Sequence, residues 1–202
     1  MLIVTRIGSP RYGQCTRYLA GLKPGQKVTV SIKPSVMKLP SDSRKPLILA
    51  GLGTGAAPFR AFLQYRAWEA MQGIPIGPVY YYFGSRHQSQ EYLYGEELEA
   101  YIQAGVITKA GLAFSRDGPK KVYIQHKMAE DGDILVKSLL GNEKEGHDGG
   151  AFYLCGPTWP VPDVYEALVN ALVKGGTGFN VVSAGEYLEG LKEEERYVLE
   201  VY

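Results

Sequence analysis

Two cysteines, Cys15 and Cys155, are too few and too far apart for a disulfide scaffold, and neither stands in a Cys-x-x-Cys pair or beside clustered histidines. A structural zinc is therefore not expected, and a reducing, cytoplasmic setting is the expectation. No apolar run approaches the ~20 residues of a membrane-spanning helix, and no leader pattern opens the chain, so no membrane partner is expected. Charge of one sign is missing as well. The 22 Lys+Arg balance 21 Asp+Glu, which leaves no electrostatic case for nucleic acid or an anionic membrane. No internal repeat or low-complexity tract is present.

What remains is a chain of 202 residues with 45% hydrophobic content, enough for one core or one core plus a fragment. Residues 1–43 read as a small β-rich piece: 1–4 and 27–32 alternate like strands, and Gly8-Ser9-Pro10 and Pro24-Gly25 are turn signals. Thr16-Arg17-Tyr18-Leu19 can start a helical turn. The polar, proline-bounded stretch 39–46 is the expected joint, giving domains 1–43 and 44–202. From Leu47 onward strands (47–50, 78–83, 106–113, 151–155, 197–201) alternate with helices (56–71, 93–103, 121–130, 162–173, 184–194). That rhythm predicts an α/β fold with a doubly wound, parallel five-stranded sheet and ligands at the carboxyl ends of its strands. The glycine-rich stretches 141–150 and 175–178 read as surface loops. Most of the 15 tyrosines fall in runs such as Tyr80-Tyr81-Tyr82-Phe83, better explained by sheet packing than by a binding stripe. Trp68 is expected in the core, Trp159 either lines a cleft or packs its loop, and His87, His126 and His147 are expected to be solvated.

The stretch Leu47–Phe62 is the focus of the chain. An apolar strand runs into Gly51-Leu-Gly53-Thr-Gly55-Ala56 and then into a helix, the Gly/Ala form of the dinucleotide fingerprint. Gly51 is expected to permit the tight turn, Gly53 to let backbone approach a pyrophosphate, and Ala56 to pack helix on strand. The helix start would offer free N–H groups and a positive dipole end to phosphate. No Gly-Lys-Ser/Thr follows, which excludes a P-loop. A site for NAD normally places Asp or Glu after the second strand to bind the ribose hydroxyl, whereas here Arg86 stands there and the next strand end brings Ser115 and Arg116. A 2′-phosphate needs donors, so NADP(H) is the natural reading. Two charge-assisted hydrogen bonds would favour it over NAD(H) by about 10²–10⁴-fold. On spacing alone, the same cations also suit an ordinary solvated face. Cys155 alone also fits a small buried hydrophobe, and Cys15 a packing residue.

The series Gly51–Phe59, Tyr92-Leu-Tyr-Gly-Glu-Glu97, Ala113-Phe-Ser-Arg116, Lys121-Val-Tyr-Ile-Gln125 and Tyr153-Leu-Cys-Gly156 resembles the ferredoxin–NADP reductase superfamily, and within it the diflavin reductases. Ser35–Pro40, Phe152–Pro162 and the ending Tyr197–Tyr202 look like the flavoprotein components of fungal sulfite reductases. The resemblance implies that Gly53, Thr54 and Gly55 hold the NADP pyrophosphate, with Arg86 near the phosphates. It implies that Ser115, Arg116, Lys121, Tyr123 and Gln125 clasp the 2′-phosphate. Cys155 would stand beside the nicotinamide, Glu200 would replace an aspartate common among relatives, and Tyr202 would be the terminal aromatic that stacks on flavin and swings away at each turnover.

In the first segment, Arg11–Thr16 resembles the loop that binds the FAD pyrophosphate, with Gly13, Cys15 and Thr16 at the phosphates, so 1–43 would be the end of an antiparallel flavin-binding β-barrel. The Arg-x-Tyr-Ser/Thr motif of that barrel and the FMN-binding domain are missing, as in a C-terminal piece of a longer flavoprotein. The implied activity passes hydride from NADPH to FAD, then electrons to FMN and to a sirohaem sulfite reductase hemoprotein subunit. Two alternatives stay open: a module of the cytochrome P450 reductase type, and a fragment that binds NADP(H) without chemistry because its flavin seat is incomplete.

Overall fold

The structure is a computed structural model that describes residues 3–4, 11–141, 149–175 and 178–202, with backbone alone at 3, 4, 11 and 12. It divides into two compact units, Met1–Pro34 and Ser35–Tyr202. In the first, β1 (Ile3–Val4) pairs antiparallel with β2 (Arg11–Tyr12), and α1 (Gln14–Ala20) follows Gly13. The strand expected over 27–32 does not form. A strand is held by cross-strand bonds and by a face to bury, and among the described residues 27–32 join no ladder, with Val30 76% and Ile32 97% exposed.

The second unit carries the sheet: β3 (Leu47–Leu52), β4 (Val79–Ser85), β5 (Lys109–Phe114), β6 (Ala151–Gly156) and β7 (Tyr197–Val201). All neighbours are parallel, in the order β5-β4-β3-β6-β7. The inner strands β3, β4 and β6 read as apolar runs because both faces are covered, whereas the edge strands β5 and β7 carry the exposed Lys109 and Glu200. Ile48, Ala50, Tyr82, Phe152 and Leu154 face α5 (Ile124–Glu130), α6 (Gly132–Leu140), α7 (Val161–Lys174) and α8 (Val181–Glu193). Leu47, Leu49, Tyr81, Phe83, Tyr153 and Cys155 face α2 (Ala56–Met71) and α4 (Gly95–Gln103). The tyrosine run is sheet packing, with Tyr81 and Tyr82 each 1% exposed. The Tyr82 hydroxyl donates to Asp131 Oδ2 at 2.9 Å and the Lys109 ammonium pairs with the same carboxylate, tying the α5–α6 junction to β4 and β5.

Several boundaries differ from the sequence reading, each for a local reason. The third strand of the sheet starts at Lys109 because Val106 and Ile107 still belong to the turn after α4, both donating N–H to the Tyr101 carbonyl. The helix expected from 93 starts at Gly95, after a short turn of helix α3 (Gln88–Glu91) and a left-handed Tyr94 (φ 59°). The helix expected from 121 starts at Ile124, and the one expected over 184–194 runs from Val181 to Glu193. Helix α6 has no counterpart in the sequence reading. Trp68 is not in the core: it is 48% exposed and packs on Tyr65, with ring centroids 5.4 Å apart. The inward position two residues earlier belongs to Arg66, 1% exposed and paired with Glu69 at 2.6 Å. Residues 142–148, with His147, and 176–177 of the two expected glycine-rich loops lie outside the described residues.

Candidate functional site at the switch point of the sheet

Strand β3 is where the winding reverses: β4 and β5 extend to one side of it, β6 and β7 to the other. In open parallel sheets the crevice beyond the carboxyl ends at such a point receives the ligand. Here it lies between the Gly53–Gly55 turn, which follows β3, and the end of β6. The glycines divide the work differently from the sequence reading. Gly51 is still in the strand and presses against α2; a Cβ there would stand 3.1 Å from the Phe59 ring and 3.4 Å from Ala56 Cα. Gly53 makes the turn, with φ +55°. Gly55 lets the turn lie on β6, since its Cβ would fall 2.0 Å from the Cys155 carbonyl oxygen. Helix α2 then starts at Ala56, directly after that turn, with backbone N–H at the junction donating back to the Gly53 and Thr54 carbonyls.

On the β4–β5 side, the ladder continues past both strands. Ser115 N–H donates to the Ser85 carbonyl at 3.0 Å, and Arg116 N–H to the Arg86 carbonyl at 2.9 Å. The two arginines are thereby neighbours in register, but their side chains differ in state. Arg86 is committed to Glu91: its Nε donates at 2.8 Å, its Nη2 pairs with the same oxygen, and its backbone N–H donates to the other at 2.8 Å. That pairing holds the Glu91 carboxyl below its ordinary range. Arg116 has no ion-pair partner among the described residues. Lys121 is exposed. Tyr123 precedes α5, its N–H donating to His126 Nδ1 at 3.2 Å and its ring edge-on to Trp159 at 6.1 Å. The Gln125 amide donates to Asp163 Oδ2 at 2.9 Å, so it is turned toward the first turn of α7.

Sequence reasoning missed the carboxylate between these loops. Asp117 accepts from His87 Nδ1 and from the Gln88 N–H, each at 2.8 Å, one on each oxygen. The Gln88 bond above all, with His87 next, holds its carboxyl below the usual range. His87 is thus a bridging residue and not a merely solvated one. The only available signal was a carboxylate directly after Ser115-Arg116.

On the β6–β7 side, Cys155 and Glu200 are Cα partners across the two strands. The Ser35 hydroxyl donates to Glu200 Oε2 at 3.3 Å. Burial, and then the Glu200 carboxylate, push the Cys155 thiol up, so it stays neutral at physiological pH. Iodoacetamide at neutral pH is therefore expected to label the exposed Cys15 and to spare Cys155. Intact and peptide mass spectra check this, and prompt labelling of Cys155 contradicts it. Tyr202 is 65% exposed, its N–H on the Gly156 carbonyl (3.0 Å), its carbonyl taking the Thr158 N–H (3.2 Å) and its hydroxyl bonded to the Thr54 hydroxyl. Thr54, Gly55, Cys155 and Tyr202 therefore meet at one place. Gly13, Cys15 and Thr16 belong to the other unit, where Gly13 caps α1 through the Arg17 N–H at 2.9 Å.

Residues 48–161 match the family described as the oxidoreductase NAD-binding domain, more than half of the chain. The chain belongs to that family. It is 49% identical over 196 residues to the sulfite reductase [NADPH] flavoprotein component of Saccharomyces cerevisiae, covering 96% of this chain and 18% of that protein. It is 50% identical over 196 residues to the probable sulfite reductase [NADPH] flavoprotein component of Schizosaccharomyces pombe, covering 97% and 19%. The NADPH–cytochrome P450 reductase of Musca domestica is 36% identical over 202 residues, covering 98% and 29%. The chain thus spans about a fifth of the length of the first two relatives. Among the described residues no helix is long and apolar enough to cross a membrane, and no group of His, Cys, Asp and Glu could hold a metal.

Proposed function

We propose that this chain binds NADPH and presents its hydride within a flavoprotein reductase of the sulfite reductase type. The observation that carries the coenzyme choice is the state of the charges beyond β4 and β5. Both carboxylates there are already engaged, Glu91 by Arg86 and Asp117 by His87 and Gln88, so a ribose 2′-hydroxyl would have to share them. Arg116, with Ser115 before it and Lys121 five residues on, offers the donors a 2′-phosphate needs. In this reading Tyr123 and Gln125 close the adenosine end, while the Gly53–Gly55 turn and the start of α2 take the pyrophosphate.

The bound dinucleotide supplies a hydride; binding it, aiming it and keeping water away fall to the protein. Cys155 places a neutral thiol at the end of β6, where the nicotinamide would lie, with Glu200 across from it. Tyr202 covers the same ground and gives up its bond to Thr54 when the coenzyme enters. The hydride acceptor in this proposal is FAD, with residues 1–43 the end of the flavin domain and 44–202 the NADP(H) domain, and electrons pass on through FMN to a sirohaem subunit in the cytoplasm. Identities of 49% and 50% to sulfite reductase flavoproteins, against 36% to a P450 reductase, favour the first over the second.

Calorimetry of the chain with NADPH and with NADH tests the reading. NADPH is expected to bind at least 10²-fold more tightly, the worth of two charge-assisted hydrogen bonds at the low end of their range. Equal affinities would overturn it. A purified chain that is colourless yet retained on an adenosine-2′-phosphate resin would point to a binding module that needs the rest of the flavoprotein for its chemistry.

A further inference from the structure

Glu91 and Asp117 present an oddity for a phosphate site: two carboxylates beside the cations that are to bind a dianion. By charge alone both should weaken the site. Their contacts suggest a different role. Asp117 directly follows Arg116 in the loop after β5, yet both of its oxygens are used by residues after β4: His87 Nδ1 at 2.8 Å on one and the Gln88 N–H at 2.8 Å on the other. It is a staple between two loops that also meet through the Ser115–Ser85 and Arg116–Arg86 backbone bonds and the Ser115 hydroxyl on the Ser85 carbonyl at 3.4 Å. Around it stand Glu91, which holds the Arg86 guanidinium and accepts the Arg86 and His87 N–H groups, and Arg116 on its own loop. With Arg86 drawn onto Glu91, the guanidinium left to recognise a ligand is that of Arg116, and its direction is set by a short loop anchored one residue later.

We propose that Asp117 is a positioning residue for coenzyme selection, clamping the loop after β5 to the loop after β4 so that Ser115 and Arg116 face the 2′-phosphate. The proposal rests on the NADPH reading above and adds to it a residue that need not touch the ligand. Misaiming one charge-assisted hydrogen bond lowers affinity by about tenfold, and a displacement near 1 Å in a positioning element has effects of that order or larger.

Adenosine 2′,5′-bisphosphate and 5′-AMP, titrated calorimetrically into the chain, separate the possibilities, because they differ only in the group under discussion. Asp117→Ala is expected to weaken the bisphosphate by about tenfold and to leave 5′-AMP as it was. The sign is diagnostic: a carboxylate acting only through its charge would, when removed, make the bisphosphate bind more tightly. Asp117→Asn keeps one accepting oxygen without the charge and is expected to fall between wild type and Asp117→Ala. His87→Ala removes one leg of the staple; combined with Asp117→Ala it should add little to the loss, since the two share one interaction.

If the wild-type chain does not distinguish the two ligands, the NADPH reading itself fails. If it does distinguish them and Arg116→Ala abolishes the difference while Asp117→Ala and His87→Ala leave it intact, the staple alone is refuted. Tighter bisphosphate binding by Asp117→Asn, or an equal fall for both ligands, also refutes it.

Discussion

Replacing Gly55 with alanine is expected to lower the melting temperature by about 10 °C and to abolish coenzyme binding at the crevice. The added Cβ would stand 2.0 Å from the Cys155 carbonyl oxygen and 2.5 Å from its carbonyl carbon, well inside contact distance. Both are backbone atoms of β6, a strand whose residues are all buried, so no flexible side chain can move aside. Overpacking of this kind costs about 1–3 kcal/mol and more where backbone has to shift. A loss of about 3 kcal/mol in a domain of this size corresponds to roughly 6–12 °C. Gly53→Ala makes the useful comparison. Its Cβ would meet nothing within 4 Å, but φ is +55°, so the expected cost is that of a left-handed alanine, about 1–2 kcal/mol. Differential scanning fluorimetry ranks the two. A Gly55→Ala protein that melts with wild type and still binds NADPH would show that the turn does not rest on β6 in solution.

Arg116→Ala is expected to lower the preference for NADPH over NADH by about 10- to 100-fold, nearly all of it as weaker NADPH binding. Arg86→Ala should have the smaller effect on that preference. Its guanidinium is already held by Glu91, and a ligand would have to compete with a carboxylate that accepts from the Arg86 side chain and backbone at once. Comparing NADPH and NADH affinities in the two variants checks the order. If Arg86→Ala erases the preference and Arg116→Ala does not, the free guanidinium has been assigned to the wrong strand end.

The order of these two arginines could not be read from sequence, although both residues could. Spacing along the chain places a cation after each strand, but it does not say which one folds back onto a carboxylate five residues later. The same holds for Asp117, whose partners lie 29 and 30 residues away in the chain. The inner strands β3, β4 and β6 were legible because each is an apolar run largely buried on two faces. The strand over 27–32 failed on the same principle: its alternation is real, but alternation describes only one face, and pairing needs a second strand. Trp68 and Arg66 show the limit of hydropathy on a helix. The inward positions of α2 are set by its rotation on the sheet, and that rotation buries an arginine with its own glutamate while leaving a tryptophan half in water. The glycines of the turn carry other structural tasks than their spacing suggested, since the approach of Gly55 to β6 depends on a strand 100 residues later.

The arrangement of strands around β3 also bears on how this module could be altered. The groups proposed to choose the coenzyme sit beyond β4 and β5, and those proposed to handle the hydride sit beyond β6 and β7, with the central strand between them. The two sets share the glycine turn and the contacts of Tyr123 with Trp159 and of Gln125 with Asp163. A redesign for the cheaper, unphosphorylated coenzyme can then be confined to one flank, leaving the redox flank and its timing as they are.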